Sequence, residues 1–209
     1  MKLNLFGINP KFGIALAKVM RNIAAAANQA GVEAQLKHGG EVKIVDNVDV
    51  KKERIRIEHD TILDLKGKTI AAAFGSTAVT VLYVDKGANV TIKNGIVDAS
   101  ADELQCIMVK DGTLTIESGT YIGGPTCSCI YAQTDNAKVI INGGYFKCAA
   151  PYNGLYYVIN AKNGTHPTII VNGGQFENYD PATGDDADGG NYLGEGKVSV
   201  LEGNVYTVK

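Results

Sequence analysis

Five segments align without a gap: NVTIKNGIV at 89–97, TLTIESGTY at 113–121, KVIINGGYF at 138–146, TIIVNGGQF at 168–176 and KVSVLEGNV at 197–205. They centre on Gly95, Gly119, Gly144, Gly174 and Gly203, which are 24, 25, 30 and 29 residues apart. Three positions before each glycine stand Ile92, Ile116, Ile141, Val171 and Val200, and five before stand Val90, Leu114, Val139, Ile169 and Val198. Two positions after it stand Val97, Tyr121, Phe146, Phe176 and Val205. Apolar residues at every second position, many of them β-branched, predict a strand with one buried face. The glycine predicts a sharp turn where a Cβ would clash, after which the buried face resumes.

A second short apolar run precedes each of the first segments or follows its turn: VLYV at 81–84, CIMV at 106–109, CIYA at 129–132 and YYVI at 156–159. Two or three strands in about 25 residues leave no room for a crossover helix, so each repeat reads as one coil of a parallel β-solenoid. Coils stacked at about 4.8 Å bury an interior that no single repeat could bury alone. The register then places Phe146 over Tyr121 and beneath Phe176, and stacks Cys106 with Cys129. An earlier stretch, TILDLKGKTI at 61–70, reads as a further coil about one residue out of phase. Six coils give a rod of only about 30 Å, whose two open ends need covering.

The chain has 209 residues, 25 of them glycine and none tryptophan, a profile of a turn-rich β protein. Its formal charge of -2 conceals a split. Residues 1–40 carry five cations against Glu33, a net +4, and the remainder carries -6. No global basic field exists to hold nucleic acid. The start has Pro10, Lys11, Lys18 and Arg21 inside every apolar stretch, which speaks against an export signal, and no run is long enough to cross a bilayer. Asn9-Pro10 opens a helical pattern that Gly31 would close as a left-handed cap. Within it Phe12, Leu16, Val19 and Ile23 recur at spacings of 4, 3 and 4, as in a short coiled-coil seam. That face serves either self-association or packing on its own domain. The expected organisation is therefore a helical attachment and oligomerisation segment at 1–39 and a β domain at 40–209.

The forms L-T-I-x-x-G-x-Y and I-I-N-G-G-x-F, with the upstream L-D-L-K-G-K-T-I, resemble the right-handed, single-stranded parallel β-helix repeats of the pectin-lyase-like superfamily and of bacteriophage fibre and spike proteins. The resemblance covers about residues 61–209. It implies architecture more than activity, because this solenoid serves lyases, hydrolases, adhesins and inert fibres alike. A short basic leader before a compact β-helix is similar to virion fibre proteins held to a capsid or tail by their N-termini. That likeness implies a homotrimer located in the virion, a capsid or tail protein as partner of residues 1–39, and contact with a host surface glycan. The expectation is a non-enzymatic head fibre or decoration, mainly β, with the N-terminal helical segment as its anchor. The alternative is a polysaccharide lyase or glycoside hydrolase on the same solenoid.

Such enzymes need carboxylates on neighbouring coils, one acting as acid and one as base or nucleophile. Asp85, Asp111 and Asp135 qualify by position, as do Asp98, Asp102 and Glu103 after the Gly95 turn. The first three stand in DKG, KDG and TDN contexts, which are also ordinary turns in which Asp accepts backbone N–H groups. Asp185, Asp186 and Asp188 before Gly189-Gly190 hint at a calcium loop but lack its ligand order and distal Glu. His38, His59 and His166 form no ligand pair, so no metal or other cofactor is expected. Cys106, Cys127, Cys129 and Cys148 match neither a zinc spacing nor a disulfide scaffold and read as small buried apolar residues. Tyr152, Tyr156, Tyr157, Tyr179 and Tyr192 crowd the C-terminal third. Either they form a glycan- or protein-contacting surface, or one of Tyr156 and Tyr157 turns inward while the others line loops.

Overall fold

The computed structural model describes residues 27–73, 75, 76, 78–184 and 190–209. The seam of Phe12, Leu16, Val19 and Ile23 and the acidic residues Asp185, Asp186 and Asp188 lie outside them. The first element among the described residues, α1 (Gln29–Leu36), is capped by Asn28, whose side chain accepts the Gly31 N–H at 2.9 Å. Gly31 therefore lies within a helix and does not close one, because the asparagine ahead of it supplies the N-terminal signal.

The chain then winds in three-strand coils. The first is β1 (Gly40–Lys43), β2 (Val48–Val50) and β3 (Ile55–Ile57); the second is β4 (Thr61–Asp64), β5 (Thr69–Ala72) and β6 (Thr80–Val84). Next come β7 (Ala88–Lys93), β8 (Ile96–Asp98) and β9 (Gln105–Val109), then β10 (Gly112–Ile116), β11 (Thr120–Pro125) and β12 (Ile130–Ala132). The fifth coil is β13 (Ala137–Ile141), β14 (Tyr145–Ala150) and β15 (Ile159–Ala161). β16 (Thr168–Val171) and β17 (Gly174–Glu177) begin a sixth, and the chain ends in a hairpin of β18 (Ser199–Glu202) and β19 (Val205–Val208). First, second and third strands of successive coils pair in parallel, giving three sheets, here termed A, B and C. The molecule is a parallel β-solenoid of about five turns.

The expected ladders are present. Ile92, Ile116, Ile141 and Val171 are consecutive partners in sheet A, all fully buried. Tyr121, Phe146 and Phe176 stack in sheet B with ring centroids 5.0 Å apart at each step and interplanar angles of 12° and 9°. The near-parallel rings follow from the backbone: one rotamer repeated on strands one coil apart superposes identical side chains. Cys106 and Cys129 occupy equivalent positions, one residue before the paired Ile107 and Ile130.

The repeated glycine has two different causes. Gly119, Gly144 and Gly174 sit at φ of 120°, 113° and 115°, a conformation that L side chains rarely adopt. Gly95 has no positive φ; a Cβ there would lie 2.3 Å from the Leu65 Cβ of the coil before it. The second coil inserts Leu65-Lys66-Gly67-Lys68 where the third has only Asn94-Gly95, since Asp64 pairs with Lys93 and Thr69 with Ile96. Its offset is thus two residues at one corner, not one. Outside the same corner, side chains link coils: Asn94 Nδ2 donates to Asp64 Oδ1 at 3.1 Å, and Asn172 Nδ2 to Asn142 Oδ1 at 2.9 Å.

Two expectations about the strands fail. The segment around Gly203 is not a coil. Its strands β18 and β19 run antiparallel, and Gly203 lies at φ 65° in the tight connection where Glu202 faces Val205. Four segments carry Asn, Ser or Gly before the central glycine, but the fifth carries Glu202. At Gly143 and Gly173 a Cβ would come within 2.7 and 2.6 Å of a carbonyl oxygen of the previous coil. The third strand of the fifth coil is Ile159–Ala161, three residues beyond the start of YYVI.

Both open ends are closed. At the first coil α1 buries Val32 and Leu36, and the Gln29 amide donates to the Glu53 carbonyl at 2.6 Å. At the last coil β19 pairs antiparallel with β17, setting Tyr206 opposite Phe176. Tyr179, read from sequence as a loop residue, is 1% exposed; its ring packs 6.4 Å from Phe176 and its hydroxyl donates to the Ile159 carbonyl at 3.0 Å. Replacing the middle ring of the stack, Phe146→Ala, removes contacts on both sides at once and should cost about 3–5 kcal/mol of unfolding free energy. Leu201→Ala, on the half-exposed hairpin, should change it by about 0.5 kcal/mol or less. Denaturant titration of both variants checks this contrast.

Candidate functional site

The sequence-derived carboxylates do not converge. Backbone hydrogen bonds make Glu58, Asp85, Lys110, Gln133 and Lys162 one register position, so the neighbour of Asp85 on the next coil is a cation, not a second acid. Lys110 Nζ approaches Asp85 Oδ2 at 3.5 Å, and Lys86 Nζ meets Glu58 Oε2 at 2.5 Å. Asp111 is one position further along its corner and Asp135 two. Asp135 accepts the His166 N–H at 2.5 Å, as Asp60 accepts the Asn89 N–H at 2.7 Å. Each of these two aspartates thereby pins its own corner to the next coil. The Asn89 backbone and side-chain N–H groups hold the Asp60 carboxyl below the usual carboxylate range. Asp98 accepts from Ser100 N–H at 2.8 Å, and Asp102 accepts from Gly75 and Glu103 N–H, both at 3.1 Å.

Among the described residues no group of three or more His, Cys, Asp or Glu side chains could hold a metal ion. Cys106, Cys129 and Cys148 are buried and Cys127 is half-buried. Burial pushes the Cys148 thiol up to about 12 and raises Cys129 well above its ordinary value, the neighbouring Cys106 adding to the latter. Cys106 Sγ donates to the Val97 carbonyl at 3.3 Å. Burial thus keeps the Cys129 and Cys148 thiols protonated and poorly reactive.

Two clefts open on the outer side of sheet C. The first, about 300 Å³, lies beside α1 and is lined by charges of both signs, among them Glu33, Lys37, Arg54, Arg56 and Glu58, with His59 at its edge. Arg54 and Arg56 lie 4.3 and 5.2 Å over the Tyr83 ring, which they help to bury. The two arginines are thus engaged by stacking and Glu58 by its pairing with Lys86.

The second cleft, about 280 Å³, lies toward the other end and has a different chemistry. Gln105, Ser128 and Asn160 come from sheet C and its approaches, Asn163 from the turn after β15, and Thr126, Tyr152 and Tyr157 from the connections between sheets B and C. The Gln105 Oε1 accepts the Ser128 N–H of the next coil at 2.7 Å, which fixes that amide and leaves its NH2 group as a donor. Tyr152 stands on a tight turn with Asn153 at φ 50° and Gly154 at φ 85°, closed by reciprocal N–H to carbonyl bonds with Leu155 at 2.8 and 3.0 Å. Tyr152 is 52% exposed, and its ring lies 6.4 Å from that of Tyr157 at a tilt of 55°. Of the five tyrosines marked in the sequence, Tyr152 and Tyr157 thus share a cleft, Tyr156 and Tyr192 pack against the core, and Tyr179 caps it.

The connections explain where this cleft can form. Between sheets A and B they have two to four residues, whereas between B and C they have four to eight, the longest being that carrying Tyr152. Sequence reasoning missed Gln105, Ser128, Asn160 and Asn163. The register Ile107–Ile130–Ile159 brings the first three together, and it was legible once those isoleucines were aligned.

No protein-family profile matches the chain, and neither a curated protein nor a solved structure was found to match it.

On the outer face of sheet B the Tyr145 hydroxyl donates to Glu177 of the next coil. That bond and partial burial push the Tyr145 phenol up to about 12. Tyr145 and Cys148 are both raised on folding, so the unfolded chain releases these protons first and stability must fall as pH rises. Their contribution is fully present below about pH 9 and is lost by about pH 12. Denaturation measured across this window should show the fall, less steep above pH 10 in Tyr145→Phe. Alkylation followed by mass spectrometry should modify Cys127 of the native protein first. Cys106, Cys129 and Cys148 should react only as it unfolds.

Proposed function

We propose that the chain is a non-enzymatic structural protein of a bacteriophage particle: a short fibre or decoration of the head. Residues 1–39 hold the anchor and the solenoid projects as a rigid body. The observation that carries this reading is where the solenoid spends its side chains. Inward columns are committed to packing coil on coil, and corner carboxylates such as Asp60, Asp85 and Asp135 to tying one coil to the next. A body built in this way resists local opening, since each backbone segment is bonded to coils on both sides.

The resemblance of the repeats to phage β-helix fibres gives the setting, and the charge split supplies a means of attachment. A leader of net +4 suits an acidic surface on a capsid or tail protein, while the remaining -6 keeps the projecting part soluble and separate. Three copies per fibre, located in the virion, is the assembly that belongs with this reading.

Charge reversal in the full chain at Lys11, Lys18 and Arg21 to Glu should abolish co-sedimentation with particles and leave the thermal midpoint unchanged. Retained attachment in that variant contradicts the anchor. Depolymerisation of a bacterial or plant polysaccharide by the purified protein, lost in Asp111→Ala, would overturn the non-enzymatic reading.

A further inference from the structure

The outward register position of sheet C runs Arg56, Tyr83, Met108, Tyr131 and Asn160 from the first coil to the fifth. It passes from cationic through aromatic to amide, and the uncharged cleft opens at the amide end. Charged residues make up 20% of the chain, yet among the described residues none lines this cleft. The opposite cleft of nearly the same size is lined mostly by them. What remains is a set of three amides and two aliphatic hydroxyls beside two phenol rings.

That set selects by exclusion and by fit. An anionic or cationic ligand would lose hydration without gaining a countercharge. A nucleic acid would find no cation for its phosphates among the described lining residues. An amide side chain both donates and accepts, which matches the paired donor and acceptor character of a sugar hydroxyl. A phenol ring offers a flat apolar surface with a polar tip, which suits the C–H face of a pyranose. The Tyr152 turn makes the second, independent point. Its reciprocal backbone bonds fix a turn that leaves Tyr152 more than half exposed beside the cleft, where core packing gives no reason for a large aromatic residue. The volume lies near the low end for small-ligand sites, room for a sugar unit or two and not for a long chain enclosed.

We propose that this cleft binds a neutral saccharide, a hexose or N-acetylhexosamine unit of a surface glycan, with Tyr152 and Tyr157 as the stacking platform and Gln105, Asn160 and Asn163 reading the hydroxyls. As a receptor contact it rests on the reading of the solenoid as an outward-projecting body. The binding itself belongs to the isolated protein.

The experiment is a glycan array with the full chain, using uncharged oligosaccharides of hexose and N-acetylhexosamine beside uronate- and sialate-bearing counterparts. Hits are followed by NMR titration. Uncharged glycans should bind, and Tyr152→Ala and Asn163→Ala, both at exposed positions, should each weaken binding at least tenfold, about 1.4 kcal/mol, at an unchanged thermal midpoint. Preference for acidic glycans, equal binding by both variants, or no uncharged ligand at millimolar concentration would each overturn the proposal. Those failures leave particle attachment standing, because the charge-reversal variant tests it without any sugar; failed attachment in turn leaves the cleft's ligand intact.

Discussion

A parallel stack works only if each coil sets an apolar side chain directly over the one before it, at the spacing of one β ladder. Every other feature of this molecule answers to that constraint. Tyr121, Phe146 and Phe176 meet it with rings 5.0 Å apart, and Ile92, Ile116, Ile141 and Val171 meet it beside them. Because the ladder hydrogen bonds run from coil to coil, a misfit at one corner disturbs neighbours on both sides. This is why Gly95 must be glycine although its own φ is unexceptional: Leu65 of the preceding coil occupies the space a Cβ would need.

The same constraint creates the problem of the ends. A stack of identical windings has no natural stop, and its last strands would present unpaired edges and an open apolar column. Here the two ends are closed by unlike means. A capped helix covers the first coil through Val32 and Leu36; at the last, the chain abandons the winding, lays Tyr179 across Phe176 and returns as an antiparallel hairpin. Reversing strand direction is the decisive step, since a further parallel coil would only have moved the open end along by one layer.

What was legible in the sequence follows from which positions repeat. The four segments around Gly95, Gly119, Gly144 and Gly174 gave the fold because inward residues must match from coil to coil. The first coil left no such trace: its connection from β1 to β2 has four residues, with no glycine among Ile44, Val45, Asp46 and Asn47. The segment around Gly203 imitated a coil because a strand with one buried face reads alike in a hairpin and a winding. Glu202, in the place of a small residue, marked the difference. The cleft residues were hidden for the opposite reason. Gln105, Ser128 and Asn160 lie outside the apolar columns, and no residue type recurs at their positions from one coil to the next, so no pattern announces them.

This division also explains where a solenoid can acquire a specific surface. The corner between sheets A and B is pinned by positive-φ glycines and by side-chain hydrogen bonds such as that from Asn172 to Asn142, and it stays within two to four residues. The connections from B to C carry no repeated glycine and vary from four to eight residues without disturbing the strands they join. The longest of them holds Tyr152 on its own reciprocal hydrogen bonds, so its shape depends little on the coils beneath it. Side chains outside the apolar columns thus collect beside a corner that varies in length, and the uncharged cleft lies there.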